Sequence, residues 1–128
     1  MYKNMMAKYD DQDSYPSEIN YPELTKQDIS RIKAVYLGMC AEVDFSIQKI
    51  IKALKDSGQA DKTMIIFTSD HGEMLGDYWQ WGKNGWWDQS YRIPLIVHTP
   101  NCKAQQIDQM TESVDLAPTI IDWLGGDI

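Results

Sequence analysis

The chain has 128 residues, and 43% of them are hydrophobic, so one domain with a real core is expected. A formal net charge of −7 argues against nucleic acid or an anionic membrane as a partner, because both select basic patches. The two cysteines form no disulfide pattern, and no apolar run reaches membrane-spanning length. The amino terminus also lacks the apolar centre of a signal peptide, so we predict a reducing, cytoplasmic location.

Residues 1–24 are rich in Tyr, Asp, Asn and Ser, are interrupted by Pro16 and Pro22, and show no clean hydrophobic period. We interpret them as an irregular arm. Residues 25–128 are then expected to form a single domain.

A long helix is predicted from about residue 26 to residue 57. Thr25 suits the N-cap, Asp28 the first turn, and Gly58 the left-handed position after the helix. Apolar or aromatic residues recur every three or four positions and form one stripe: Ile29, Ile32, Tyr36, Met39, Val43, Ile47, Ile50 and Leu54. We favour a helix that lies across a sheet over a coiled-coil or dimerisation helix. Cys40, beside the stripe, is expected in the core.

Residues 64–67 are a short, continuously apolar run with small polar residues directly after it. This pattern is typical of a strand that is covered on both faces in a parallel sheet. Because ligands gather beyond the carboxyl ends of such strands, Asp70 and His71 are candidate metal ligands. Taken alone, the Asp-His-Gly sequence equally suits a turn in which Asp70 caps a backbone group and His71 is solvated.

Residues 73–91 have no clear period, yet they contain one cation, Lys83, and four tryptophans, Trp79, Trp81, Trp86 and Trp87. Long irregular connections are usually functional or disordered, and a loop with four tryptophans must bury them somewhere. Lys83 could place a positive charge opposite an anion at the strand end; the alternative is a solvated lysine at a loop tip. Glu73 and Asp77 are predicted to fix the loop.

A second apolar run at residues 93–97 predicts another strand, which ends at His98. This histidine is isolated, and we do not expect it to be a metal ligand. Asp115 is expected to cap a final helix that runs through Leu124, with Pro118 in its first turn.

The string FTSDHGEMLGDYWQWGKNGWWDQSYRIPLIV, residues 67–97, resembles the second metal-binding segment of the sulfatase family, in the alkaline phosphatase superfamily. The likeness is greatest to the phosphonate monoester hydrolase and arylsulfatase branch. YLGMCAEVD at residues 36–44 resembles the long helix of the family, and SVDLAPT at residues 113–119 its last recognisable segment. The resemblance therefore covers about residues 27–125.

This resemblance implies an α/β fold, part of an alkaline-phosphatase-like sandwich with a mostly parallel sheet flanked by helices. It implies that Asp70 and His71 hold one divalent metal ion, Mn²⁺ or Ca²⁺, while Lys83 is the catalytic cation that binds the anion. An imidazole ligand shifts the preference toward Mn²⁺. The implied partner is a small sulfate, phosphonate or phosphate ester.

Two parts of the family pattern are absent from the chain. The formylglycine nucleophile arises within Cys/Ser-x-Pro-x-Arg, and neither Cys40 nor Cys102 lies in that motif. Two further metal-binding aspartates are expected after a buried strand, whereas the pair at residues 10–11 follows a polar stretch. The chain resembles the carboxyl half of a catalytic domain.

Two hypotheses follow for what the chain does. It is either part of a hydrolase whose nucleophile lies outside these residues, and inactive alone, or an inactive truncated or orphan sulfatase-fold domain that acts as a binding or structural module. In both cases open strand edges and the exposed stripe predict self-association, or pairing with the missing amino-terminal half.

Overall fold

The computed structural model describes residues 24–83 and 85–127, so the predicted arm at residues 1–24 lies almost wholly outside the described part. The helices and strands are α1 (Lys26–Asp56), β1 (Ile65–Thr68), α2 (Asp88–Tyr91), β2 (Leu95–His98) and α3 (Leu116–Trp123). Short 3-10 turns lie at Ala60–Lys62, Asp77–Trp79 and Ser113–Asp115. Within the described ranges, no helix combines the length and the apolar character that crossing a bilayer requires.

Helix α1 begins and ends close to the predicted positions. The Asp28 backbone N–H donates to the Thr25 hydroxyl at 3.2 Å, and the Thr25 backbone N–H donates to the Asp28 carboxylate at 3.0 Å. This reciprocal capping box satisfies two otherwise unpaired donors. The Thr25 hydroxyl, and then its backbone N–H, lower the pKa of Asp28. After Ser57 the chain turns at Gly58, whose φ of +70° favours glycine.

The apolar stripe of α1 does not lie against the sheet as predicted. No residue of this helix is buried, and Val43 and Ile50 are exposed. The reason is size: 31 helical residues extend about 46 Å, whereas a four-residue strand extends about 13 Å. The prediction that Cys40 lies in the core is also wrong, because its side chain is exposed.

Tyr36 lies where α1 approaches the loop that follows β1. Partial burial raises the pKa of its phenol, and the nearby Cys40 and the Glu73 carboxylate raise it further. The middle of α1 therefore lies near the start of this loop.

Strands β1 and β2 pair in an antiparallel arrangement, with Ile65 opposite His98 and Thr68 opposite Leu95. The sheet was expected to be mostly parallel, and this pair differs from that expectation for two reasons. A continuous apolar run does not specify strand direction, and the predicted cover on both faces is also wrong, because Phe67 of β1 and all of β2 are exposed. Parallel neighbours also require a crossover of about a dozen residues, usually helical, whereas the longest helix described between these strands is the four-residue α2.

The buried side chains of the described residues belong to the loop between the strands. Met74 and Trp79 are buried, as is Ser90, whose hydroxyl donates to the Met74 sulfur at 3.1 Å. The expectation that the loop buries its tryptophans is met only in part, because Trp86 is exposed. The loop therefore forms its own small core, which fixes the positions of the side chains around it.

Helix α3 confirms the predicted last helix to within one residue at each end. The Asp115 carboxylate accepts the backbone N–H of Glu112 at 2.8 Å and makes no cap bond to α3 itself. The helix is entered through the 3-10 turn at Ser113–Asp115 instead. Gly125, with φ of +78°, follows its end.

Candidate functional site

Asp70 and His71 directly follow β1, where the strand releases the chain into the loop. The His71 backbone N–H donates to Asp70 Oδ1 at 3.0 Å, and His71 Nδ1 lies 2.7 Å from the Gly72 carbonyl oxygen. Because a carbonyl only accepts hydrogen bonds, Nδ1 carries the ring proton. The lone pair is then on Nε2, and this is the usual arrangement of a metal-ligating histidine.

The two candidate ligand atoms lie close together. Asp70 Oδ2 lies 3.6 Å from His71 Nε2. Two ligands about 2.1 Å from one ion, at octahedral to tetrahedral angles, are about 3.0 to 3.4 Å apart, so a small approach would let both contact one cation. The Asp70 side chain is 82% exposed and that of His71 36%, which leaves room for further ligands. A carboxylate with an imidazole suits Mn²⁺ and similar ions.

The described residues do not complete a metal site by themselves. Nowhere in residues 24–83 and 85–127 do three or more potential ligands of the His, Cys, Asp or Glu type converge. Asp70 and His71 thus fit a divalent ion as a partial ligand set.

Gly72 allows the chain to turn back immediately after the two candidate ligands. A Cβ atom at this position would lie 1.9 Å from the Gln89 carbonyl oxygen, so no other residue fits without a backbone shift. The Gly72 N–H donates to the Ser90 carbonyl at 2.8 Å. This contact brings the end of the loop alongside its beginning.

The first half of the loop is closed by Glu73. Its Oε1 accepts the backbone N–H of Gly82 at 2.7 Å and that of Leu75 at 3.2 Å. The Met74 N–H donates to the Gly82 carbonyl at 2.8 Å. Because Lys83 is the next residue, these bonds fix where its side chain begins.

Asp77 fixes the second half of the loop by accepting the Gln89 side-chain amide at 3.0 Å. The predicted loop-fixing roles of Glu73 and Asp77 therefore agree with their contacts. Around Asp77 the backbone has φ of +49° at Leu75, +52° at Tyr78 and +54° at Trp79. Such left-handed conformations are costly for large side chains and persist only where the surroundings impose them.

A cavity of about 480 Å³ joins the three residues that the sequence singled out. Asp70, His71 and Lys83 all line it, and we call it the site cavity. Its other lining residues are Ser90, Tyr91, Ile93 and Ser113. Lys83 is exposed and forms no ion pair with any residue of the described chain.

Tyr91 and Ser113 are lining residues that the sequence did not single out. The bond between Gly72 and Ser90 brings Tyr91 to the cavity, and the chain that follows β2 brings Ser113 there. Neither placement produces a periodic pattern of residues that the sequence could reveal. His98 lies elsewhere, with Nδ1 3.4 Å from the Cys102 sulfur, and it does not line the site cavity.

A match to a family model shows which protein family the chain belongs to. The model of the sulfatase family, described as Sulfatase, matches residues 2–126. The chain belongs to the sulfatase family. The predicted resemblance is thereby confirmed.

Relatives within the sulfatase family agree with this assignment. The chain is 43% identical over 107 residues to the multifunctional alkaline phosphatase superfamily protein PehA of Trinickia caryophylli, covering 81% of this chain and 21% of that protein. It is 43% identical over 101 residues to arylsulfatase K of Gallus gallus, covering 78% and 19%. The chain thus spans about a fifth of the length of the curated relatives it matches.

Two solved structures of phosphonate monoester hydrolases confirm the α/β fold of this sulfatase-family chain. The enzyme of Agrobacterium radiobacter superposes with a TM-score of 0.75 and 46% identity, over 79% of this chain and 21% of that chain. The enzyme SpPMH of Silicibacter pomeroyi gives a TM-score of 0.79 and 44% identity, over 94% and 24%.

Proposed function

We propose that this chain supplies part of the active site of a metal-dependent hydrolase of sulfate, phosphonate or phosphate esters. Asp70 and His71 are two of the metal ligands, and Lys83 binds the anionic group of the ester. The observation that supports this most directly is that these three side chains line one cavity. The family and the two phosphonate monoester hydrolase structures support the same reaction class.

Each residue has a physical role in this proposal. A divalent cation held by Asp70 and His71 would supply Lewis-acid polarisation of the ester. The hydrogen bond from His71 Nδ1 to the Gly72 carbonyl fixes the imidazole and leaves Nε2 as the ring atom that would hold the ion. The Lys83 ammonium group offsets the charge on the ester oxygens, an effect that strengthens as the negative charge concentrates on them.

The nucleophile of the proposed reaction lies outside this chain. Neither cysteine has the motif for formylglycine formation, and the described ligands are too few for a complete metal site. We propose that the full enzyme joins these residues to an amino-terminal segment with the nucleophile and two aspartates. An inactive binding or structural module differs from this only in lacking such a segment.

Metal binding to the purified 128-residue chain tests the ligand assignment. Titration calorimetry with Mn²⁺ should give one site, and D70N and H71A should each weaken it by at least about tenfold, because even groups that only support a ligand are worth that much. Inorganic phosphate should then bind to the Mn²⁺-loaded chain, and K83A should weaken that step alone.

Matched variants exist for both assignments. H98A removes the other histidine of the chain, and K33A removes a lysine of α1 that does not line the site cavity; neither should change binding. If H98A abolishes Mn²⁺ binding while H71A leaves it intact, the metal site has been assigned to the wrong place. Equal phosphate affinity in K83A and K33A would remove Lys83 from the proposal.

A further inference from the structure

A second, larger cavity adjoins the site cavity. Its volume is about 680 Å³, within the range of about 300 to 1,000 Å³ that is usual for pockets holding small organic molecules. We call it the side cavity. Three residues line both cavities: Tyr91, Ile93 and Ser113. The two cavities therefore lie side by side at these residues, which places the side cavity next to any molecule that occupies the site cavity.

Tyr91 is presented in a way that suits contact with a flat ring. It is the last residue of α2, where its backbone N–H donates to the Trp87 carbonyl at 3.1 Å. Its ring stacks on that of Trp86, with centroids 5.6 Å apart and planes inclined by 10°. Tyr91 is nevertheless 61% exposed and Trp86 87%. The pair therefore contributes little to the core, and it leaves apolar ring surface free to pack against a further aromatic group.

The charges around the side cavity restrict what it can accept. Its lining includes one cation, Arg92, and three acidic residues, Asp88, Asp108 and Glu112. This excess of negative charge disfavours a second anionic group at that end of a ligand. The site cavity, in contrast, contains Lys83 and the candidate metal ligands. An ester with its anionic group in the site cavity and an uncharged organic part beyond it matches both environments.

We infer that the side cavity receives the alcohol portion of the ester, and that Tyr91, supported by Trp86, selects an uncharged aromatic alcohol. This inference rests on the proposed function. Tyr91 is then a specificity-determining residue, and esters of alcohols with further negative charges are disfavoured.

Binding of unreactive phosphonates to the Mn²⁺-loaded 128-residue chain tests this inference by titration calorimetry. Phenylphosphonate should bind about fivefold more tightly than methylphosphonate, the size of a single aromatic contact. Y91A should bring this ratio close to one, Y91F should preserve it, and W86A should reduce it. A carboxylate at the far end of the phenyl ring should weaken binding, and D108N should restore part of that loss.

F45A is the matched control, because Phe45 is an exposed aromatic residue of α1 that lines neither cavity; it should leave the ratio unchanged. If phenylphosphonate and methylphosphonate bind equally, or if Y91A keeps the ratio, the inference is overturned while the proposed function stands. If neither phosphonate nor inorganic phosphate binds, the proposed function itself is wrong, and the inference fails with it.

Discussion

At Gly72 the backbone of the loop passes so close to Gln89 that a side chain would occupy the same space. This contact decides whether Asp70 and His71 meet the returning end of the loop. G72A places a Cβ atom 1.9 Å from a backbone carbonyl oxygen, and we expect it to destabilise the chain by about 2 kcal/mol or more. Urea unfolding, followed by tryptophan fluorescence, measures the change.

The same substitution at Gly38 is the control. Gly38 lies inside α1, and a Cβ atom there would meet nothing within 4 Å. Because alanine favours a helix over glycine, G38A should stabilise the chain by about 1 kcal/mol. Equal effects of the two substitutions would show that the close approach at Gly72 does not exist in solution.

At the scale of one element, the start of α1 depends on a single pair of residues. The Thr25 hydroxyl caps the helix and lowers the pKa of Asp28 below its ordinary value of 3.8. A carboxylate with a lowered folded-state pKa stabilises the folded state above pH 3.8, and this contribution is lost as the pH falls through the folded-state value. We expect T25A to cost about 1 kcal/mol and to move the acid-induced loss of helix to higher pH, as followed by circular dichroism. T25S, which retains the hydroxyl, should behave like the wild type; a shift of the same size in T25S would contradict the role of the hydroxyl.

The loop between the strands shows what an element's sequence can and cannot predict. The order Asp-His-Gly, then Gly-Lys, indicated two ligands and a cation, and the structure brings all three to one cavity. The sequence did not indicate that Tyr91 would join them, because its position follows from the contact between Gly72 and Ser90. Contacts between residues far apart in a loop leave no period to detect.

Across the whole molecule, features set by neighbouring residues were predicted well from the sequence. Features set by contacts between distant residues were predicted less well. The N-cap at Thr25 and the strand before Asp70 follow from neighbouring residues, and both lie where expected. Two other features depend on how distant segments meet. These are the direction of β2 relative to β1 and the position of the α1 stripe away from the sheet. Membership of a family reduces the number of possible arrangements of strands and helices, because it implies a fold. Hydrophobic periodicity alone does not imply one.

The exposed stripe of α1 also bears on how the molecule behaves in solution. Val43 and Ile50 lie seven residues apart on one face of the helix and are both exposed, so that face offers a continuous apolar surface. The curated relatives are about four times as long as the chain, and we propose that their additional residues cover the equivalent face. Without that cover, a second copy of the chain is the available partner.

The 128-residue chain should therefore associate with itself, with an average mass in sedimentation that rises with concentration. V43E/I50E should weaken this association by at least about tenfold, because burying each such side chain is worth roughly 1.5 to 3 kcal/mol. A34E/A41E adds the same charge at the same spacing on the opposite face of α1, outside the stripe, and it should associate like the wild type. A wild-type chain that stays monomeric at every concentration, or equal weakening in the two double variants, would show that this face does not pair with a second copy.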